Sequence, residues 1–178
     1  MIRLFAAIVP PAEPAAALAS LQRGLLGARW RPPESLHLTL RFFGPVREDV
    51  ADDIDSALAA IRSAAFRLAL AGVGTFDDGP ETRAVWAGVE PSEPLAVLAG
   101  RCERAARRAG LPAEKRAFRP HVTLAYLRRA ASPDVAAWLQ GRSLFRSDGF
   151  EVGRFGLYSS WPGPEGSLYR LERAYPLS

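Results

Sequence analysis

The chain reads Leu36-His37-Leu38-Thr39-Leu40 at one point and Pro120-His121-Val122-Thr123-Leu124 at another. Both stretches alternate apolar and polar residues, which is typical of a strand with one buried face. Side chains two residues apart share a face of a strand, so each histidine should lie beside the threonine that follows it, with the aliphatic side chains opposite. The chain contains no other histidine. The two stretches therefore predict the central strands of the fold.

The segments around these two strands follow the same order in each half of the chain. The first half predicts a strand, a helix, a strand, a helix and a strand over residues 2–9, 12–27, 36–43, 47–63 and 66–76. The second half repeats that order over residues 83–89, 93–109, 120–127, 133–140 and 149–158, and a closing strand follows over 167–175. The sequence therefore predicts one α/β (α+β) domain of two βαβαβ lobes, approximately 1–79 and 80–178, between which terminal strands can be exchanged.

The composition is that of an ordinary globular protein, with 48% apolar and 24% charged residues among 178. The formal net charge is +4, and Lys115 is the only lysine among 23 basic residues. Arginine binds phosphate with a fork of donors, so the charge is compatible with a polyanionic partner. No apolar run approaches the length of a membrane span, and the single cysteine, Cys102, can form no internal disulfide. These features predict a cytoplasmic protein without membrane contact.

Two histidines in matching strands suit the cleavage of a phosphodiester. Their ordinary pKa near 6.5 allows one imidazole to act as a base on water and the other as an acid toward the departing oxygen. The hydroxyls of Thr39 and Thr123 can donate to the oxygens on which negative charge develops. A purely structural role and a metal site are the alternatives, but a metal would require a third protein ligand at a matching spacing, and the sequence offers none. We therefore predict neither metal nor cofactor.

At this point the chain resembles the two-histidine (2H) phosphoesterase superfamily, and within it the RNA 2′,3′-cyclic phosphodiesterases, which are also described as 2′-5′ RNA ligase-like. The likeness extends over essentially the whole chain and includes Arg3-Leu4-Phe5, Trp30, Pro33 through Leu40, Phe42-Phe43-Gly44, Phe118 through Leu124, and Leu157-Tyr158-Ser159.

The resemblance implies a bilobal fold with mainly antiparallel sheets around a central cleft. It also implies that His37 is the proton donor, that His121 is the proton acceptor, and that Thr39 and Thr123 bind the phosphate. The expected reaction converts a 2′,3′-cyclic phosphate to a 2′-phosphate without a metal, on RNA ends or nucleoside cyclic phosphates. We expect a monomer.

One position departs from the family pattern. Relatives often have an arginine two residues after the second motif, where this chain has Tyr126. The hydroxyl of Tyr126 can still donate to a phosphate, but by strand parity the side chain reaches the cleft only if the strand ends or bulges before it. Arg41 shares the face of His37 and Thr39 in a regular strand, so it is the predicted replacement for the missing cation.

Two aromatic residues and two other functions complete the expectations. Phe5 and Trp86 occupy comparable places in the first strands of the two halves, where they either stack on a base or pack in the core.

The same acid–base groups run in reverse would join RNA ends in a 2′-5′ linkage. A nucleotide- or RNA-binding module without turnover is the alternative from another class.

Overall fold

The structure, a computed structural model, describes all 178 residues. The strands are β1 (Ile2–Ile8), β2 (Ala28–Trp30), β3 (Leu38–Val46), β4 (Phe66–Leu68), β5 (Leu70–Asp78), β6 (Glu81–Val89), β7 (His121–Leu127), β8 (Phe150–Val152), β9 (Arg154–Gly163) and β10 (Gly166–Pro176). The helices are α1 (Ala12–Leu21), α2 (Glu48–Ala59), α3 (Glu93–Arg108) and α4 (Ser132–Gln140), with a 3₁₀ turn at Pro33–Ser35.

The predicted elements are present, with differences at their ends. Helix α1 ends at Leu21 instead of residue 27, because the chain turns at Gly24 and Gly27, whose φ angles are +75° and +78°. The predicted strand over 66–76 is divided into β4 and β5, and the predicted strand over 149–158 is divided into β8 and β9. Strand β2 has three residues, too few to show a periodic pattern.

The main sheet has eight strands in the order β10-β9-β1-β3-β7-β6-β5, with β2 paired to β7, and every pair is antiparallel. The last strand of the first half, β5, forms a hairpin with the first strand of the second half, β6, and β9 of the second half pairs with β1 of the first. The small sheet joins β4 to β8 across the same division. The α/β fold with mainly antiparallel sheets is confirmed, and strands of residues 1–79 pair with strands of residues 80–178 within one sheet.

The apolar faces of β3 and β7 pack into a single core. Leu38, Leu40, Val122 and Leu124 are at most 4% exposed and belong to the same cluster as Cys102 of α3. Burial raises the pKa of the Cys102 thiol to about 12. The helices therefore cover the aliphatic side of the central strands and leave the histidine side free. None of the helices combines the length and apolar character needed to cross a bilayer.

Candidate active site

The register between β3 and β7 crosses the two motifs. Leu38 pairs with Val122 in an antiparallel ladder. Continued by one residue on each side, this register places His37 opposite Thr123 and Thr39 opposite His121. Directly opposed side chains lie about 5 Å apart at Cβ and diagonal ones roughly 7–8 Å. Each histidine therefore lies beside the threonine of the other half, and the two imidazoles are diagonal neighbours on one face of the sheet.

A β-bulge in β7 decides where Tyr126 points. Thr123 pairs with Trp86 and Ala125 pairs with Val85, which leaves Leu124 between them without a partner on β6. The extra residue reverses the alternation of faces beyond it. Leu124 and Ala125 are both buried, whereas Tyr126 is 49% exposed. The bulge therefore places Tyr126 on the face of His121 and Thr123, the condition under which its side chain reaches the cleft.

A matching bulge in β3 turns Arg41 away. Thr39 pairs with Ala7 and Arg41 pairs with Ala6, which leaves Leu40 between them without a partner on β1. The Arg41 guanidinium donates to Glu103 of α3 at 2.5 Å and to the carbonyl of Pro112 at 2.8 Å. These partners lie on the helix side of the sheet, so the structure does not bring Arg41 to the histidines.

Both imidazoles are held in the same way by the backbone. Nδ1 of His37 lies 2.7 Å from the carbonyl oxygen of Ser35, and Nδ1 of His121 lies 2.6 Å from the carbonyl oxygen of Arg119. A carbonyl oxygen only accepts hydrogen bonds, so each Nδ1 carries a proton and donates it to that bond. Nε2 of each ring is thereby left as the nitrogen that can exchange a proton with a substrate.

Aromatic rings from β1, β5, β6 and β10 surround the histidines. The ring centroid of His37 lies 4.9 Å from Phe5 and 4.9 Å from Tyr169. The ring of His121 lies 4.6 Å from Phe76 and 6.0 Å from Trp86. Tyr169 belongs to β10, at the edge of the sheet, yet it contacts a residue at the start of β3. The sheet must therefore curl toward the histidines, which places them in a concave cleft.

Burial shapes the ionisation of the pair. Desolvation is the main cause that lowers the pKa of His37 from 6.5 to about 4, and the charges of Arg31 and His121 lower it further, against the hydrogen bond to Ser35. Desolvation also lowers the pKa of His121, and the charge of Arg119 adds to this effect. The charge of His121 is among the causes that lower the pKa of His37, so the two rings lie within electrostatic reach of one another.

Phe5 and Trp86 take different environments. Phe5 is 1% exposed and packs between Phe42 and Tyr158, so it forms the floor of the cleft beneath His37. The indole Nε1 of Trp86 is buried without a hydrogen-bond partner. The indole lies against Gly74 of β5, where an added Cβ would approach the ring to 2.3 Å.

Two arginines near the histidines were not predicted from the sequence. Arg31, just after β2, lies with its Cζ atom 5.7 Å from the ring centroid of Tyr126, and Arg119 lies 5.6 Å from that of Phe76. Each precedes a histidine by a few residues, outside the strand that carries the motif. Strand periodicity gives no signal for such positions; the available sequence signal was an arginine close before each motif.

Residues 10–160 match the model of the 2′-5′ RNA ligase superfamily. The chain belongs to this superfamily. The family predicted from the paired motifs is therefore confirmed, and the match covers both histidines and both threonines.

Relatives and solved structures of the superfamily agree with this assignment. An RNA 2′,3′-cyclic phosphodiesterase of Aeropyrum pernix is 35% identical over 139 residues, covering 77% of this chain and 79% of that protein. A protein of the same name from Archaeoglobus fulgidus is 30% identical over 152 residues, covering 85% of each. The crystal structure of E. coli LigT complexed with 3′-AMP superposes with a TM-score of 0.81 at 27% identity, covering 99% of this chain and 98% of that one.

Proposed function

We propose that this protein is an RNA 2′,3′-cyclic phosphodiesterase that opens the cyclic phosphate to a 2′-phosphate, with His37 and His121 as its acid–base pair. The observation that carries the proposal is the orientation of the two imidazoles. Both rings donate Nδ1–H to a backbone carbonyl, on one face of the sheet, and so present Nε2. Relatives named for this activity at 30–35% identity support the choice of substrate.

The proposed step exchanges one P–O bond for another. A water oxygen bonds to phosphorus while the bond from phosphorus to the ribose 3′ oxygen breaks. The proton of the water passes to Nε2 of one histidine, and Nε2–H of the other protonates the departing 3′ oxygen. The product is a 2′-phosphate with a free 3′ hydroxyl. Each proton transfer typically contributes a rate factor of roughly 10²–10⁴.

The crossed register gives the threonines a place in this step. Thr39 lies opposite His121 and Thr123 lies opposite His37, so a phosphate between the imidazoles would meet a hydroxyl on each side. Donors fixed at these points stabilise the negative charge that builds up on the non-bridging oxygens. We propose that Thr39 and Thr123 are these donors, and that Tyr126 adds a phenol at the rim.

The assignment of acid and base depends on ionisation. A donor role for His37, as the resemblance implies, requires an imidazolium, yet the pKa of His37 is about 4 in the unliganded cleft. The assignment holds only if a bound phosphate anion raises that pKa. Otherwise the two roles are reversed, with His121 as the acid and His37 as the base. A substrate with an aryl leaving group separates the two cases, because such a group departs without protonation.

The experiment uses 2′,3′-cyclic AMP in excess chelator and identifies the product by its separation from 2′-AMP and 3′-AMP standards. The wild-type protein should form 2′-AMP, and His37→Ala or His121→Ala should lose at least about a hundredfold in kcat. Thr39→Val and Thr123→Val should lose less, and Thr82→Val, at the far end of β6, serves as the matched control. With the aryl ester as substrate, only the alanine variant of the histidine that acts as the base should still lose most of its kcat.

A wild-type rate in either alanine variant, or a reaction abolished by chelation, would reject the two-histidine mechanism. No group of three or more histidine, cysteine or carboxylate side chains is placed to hold a metal ion.

The superfamily name favours ligation as a second candidate. The 5′ hydroxyl of a second RNA would replace water and give a 2′-5′ linkage. Because water is the solvent, hydrolysis should dominate unless the second RNA is held in place. Supplying a 5′-hydroxyl oligonucleotide together with the cyclic-ended one and analysing product length distinguishes the two reactions.

A further inference from the structure

Arg31 is a buried cation without a counter-ion. Its residue is 7% exposed, and it takes part in none of the ion pairs of the protein. Its polar contacts are long, with Nη2 lying 3.4 Å from the carbonyl oxygen of Ser167 and 3.5 Å from the hydroxyl of Tyr169. A guanidinium has five N–H donors, so most of its donor capacity is unused.

Strong contacts fix the backbone at this position. The amide of Arg31 donates to the carbonyl of Leu124 at 2.8 Å, and its carbonyl accepts from the side chain of Gln22 at 2.7 Å. The guanidinium lies between two rings, with its Cζ atom 5.7 Å from the centroid of Tyr126 and 5.6 Å from that of Tyr169. The fold therefore holds the Arg31 guanidinium in one position between the two rings, away from bulk solvent.

The rings connect this charge to the histidines. The ring of Tyr169 packs edge-on against His37 at 4.9 Å, and the charge of Arg31 lowers the pKa of that histidine. Strand β2 places Arg29 opposite Tyr126 on β7, so Arg31 reaches the cleft from the strand beside the second motif. Arg41, by contrast, is neutralised by Glu103.

A buried charge that lacks a partner costs free energy, and the cost disappears when an anion binds to it. We propose that Arg31 is the phosphate-binding cation of this cleft and that the ring of Tyr126 is the platform on which its guanidinium rests. The guanidinium donates to a non-bridging oxygen of the phosphate beside His37. The identity of that phosphate as a cyclic ester rests on the proposed function; the anion site itself does not.

The position of the Arg31 guanidinium explains how this chain can have a tyrosine at position 126. Arg31 directly follows β2, which pairs with the strand that carries Tyr126, and its guanidinium lies over the Tyr126 ring. A guanidinium carried by residue 126 would therefore occupy nearly the same region as one carried by residue 31. The two positions can exchange the cation between them.

The test compares Arg31→Met, Arg29→Met and the double variant Arg31→Met/Tyr126→Arg. Arg29 is exposed on β2, two residues before Arg31, so Arg29→Met removes the same charge without removing the proposed contact. Inorganic phosphate binding, measured by calorimetry at fixed ionic strength, should weaken roughly 10- to 100-fold in Arg31→Met, as expected for a lost bond to a charged group. It should change less than about threefold in Arg29→Met, and the double variant should recover most of the loss.

Two further readouts separate this role from a merely structural one. In thermal unfolding without ligand, Arg31→Met should melt no lower than wild type, because an uncompensated buried charge is replaced by an apolar chain of similar length. In NMR titration, the pKa of His37 should rise in Arg31→Met, because a neighbouring positive charge is removed. A lower melting temperature together with unchanged phosphate affinity would overturn the proposal.

The outcome is independent of the chemistry. If the wild-type protein bound phosphate through Arg31 but failed to hydrolyse a cyclic phosphate, the proposed reaction would fail and the anion site would stand. If the reaction proceeded and Arg31→Met kept the wild-type KM and phosphate affinity, the anion site would fail and the two-histidine reaction would stand.

Discussion

Acidification should destabilise the protein through His37. The pKa of this imidazole is about 4 in the folded protein and 6.5 in the unfolded chain. Between these values the unfolded state binds a proton that the folded state does not, so the free energy of unfolding falls as the pH decreases. For one such group, the loss between pH 8 and pH 5 is about 2 kcal/mol.

The measurement is urea unfolding of wild type and His37→Asn at pH 8 and pH 5. Asparagine retains an amide that can donate to the Ser35 carbonyl but cannot titrate. Wild type should lose about 2 kcal/mol more than the variant over this interval, or on the order of 1 M in the urea midpoint. The titration of His121 is common to both proteins and cancels in the difference. Equal losses in the two proteins would show that burial does not depress the pKa of His37.

Three further outcomes follow from the geometry. The pH profile of kcat/KM should peak below pH 6.5, between the lowered pKa values of the two histidines, and should fall about tenfold from pH 7 to pH 8; a plateau beyond pH 7.5 would contradict this. Gly74→Ala should displace the Trp86 indole, destabilise the protein by about 1–3 kcal/mol in urea unfolding and reduce kcat/KM, whereas Gly153→Ala, whose Cβ would meet only the Glu151 side chain at an ordinary contact distance of 3.9 Å, should have none of these effects. Cys102, with a pKa of about 12 and no exposure, should react with iodoacetamide at pH 8 only as fast as the protein unfolds; rapid labelling detected by mass spectrometry in the folded state would contradict its burial.

The sequence predicted most of the local structure because periodicity is a local property. The aliphatic positions of both motif strands face the core as alternation requires, and α3 was predicted to end within one residue of Arg108. Pairing between distant strands was not contained in that pattern. The pairing of β9 with β1, which lie far apart in the chain, depends on which edges meet when the core closes, and no single segment encodes it.

The candidate site shows the same division between local and non-local information. Two motifs of the same pattern indicated the two histidines and threonines, whereas the bulges at Leu40 and Leu124 arise from pairing with β1 and β6. Parity counted along a regular strand therefore placed Arg41 on the histidine face. The two bulges instead place Phe42 and Tyr126 on that face. The proposed cation, Arg31, follows β2, a strand with too few residues to be recognised from the sequence.

Strands of each sequence half pair with strands of the other half in the same sheet. Neither half can therefore unfold without disrupting the other. Separating β6 from β5 would leave an unpaired strand edge in each half, and separating β1 from β9 would do the same. The molecule should consequently come apart in one cooperative event. The two histidine rings, supplied by opposite halves, would then be either fully assembled or fully separated, so a partly folded chain should lack the proposed activity on cyclic phosphate ends.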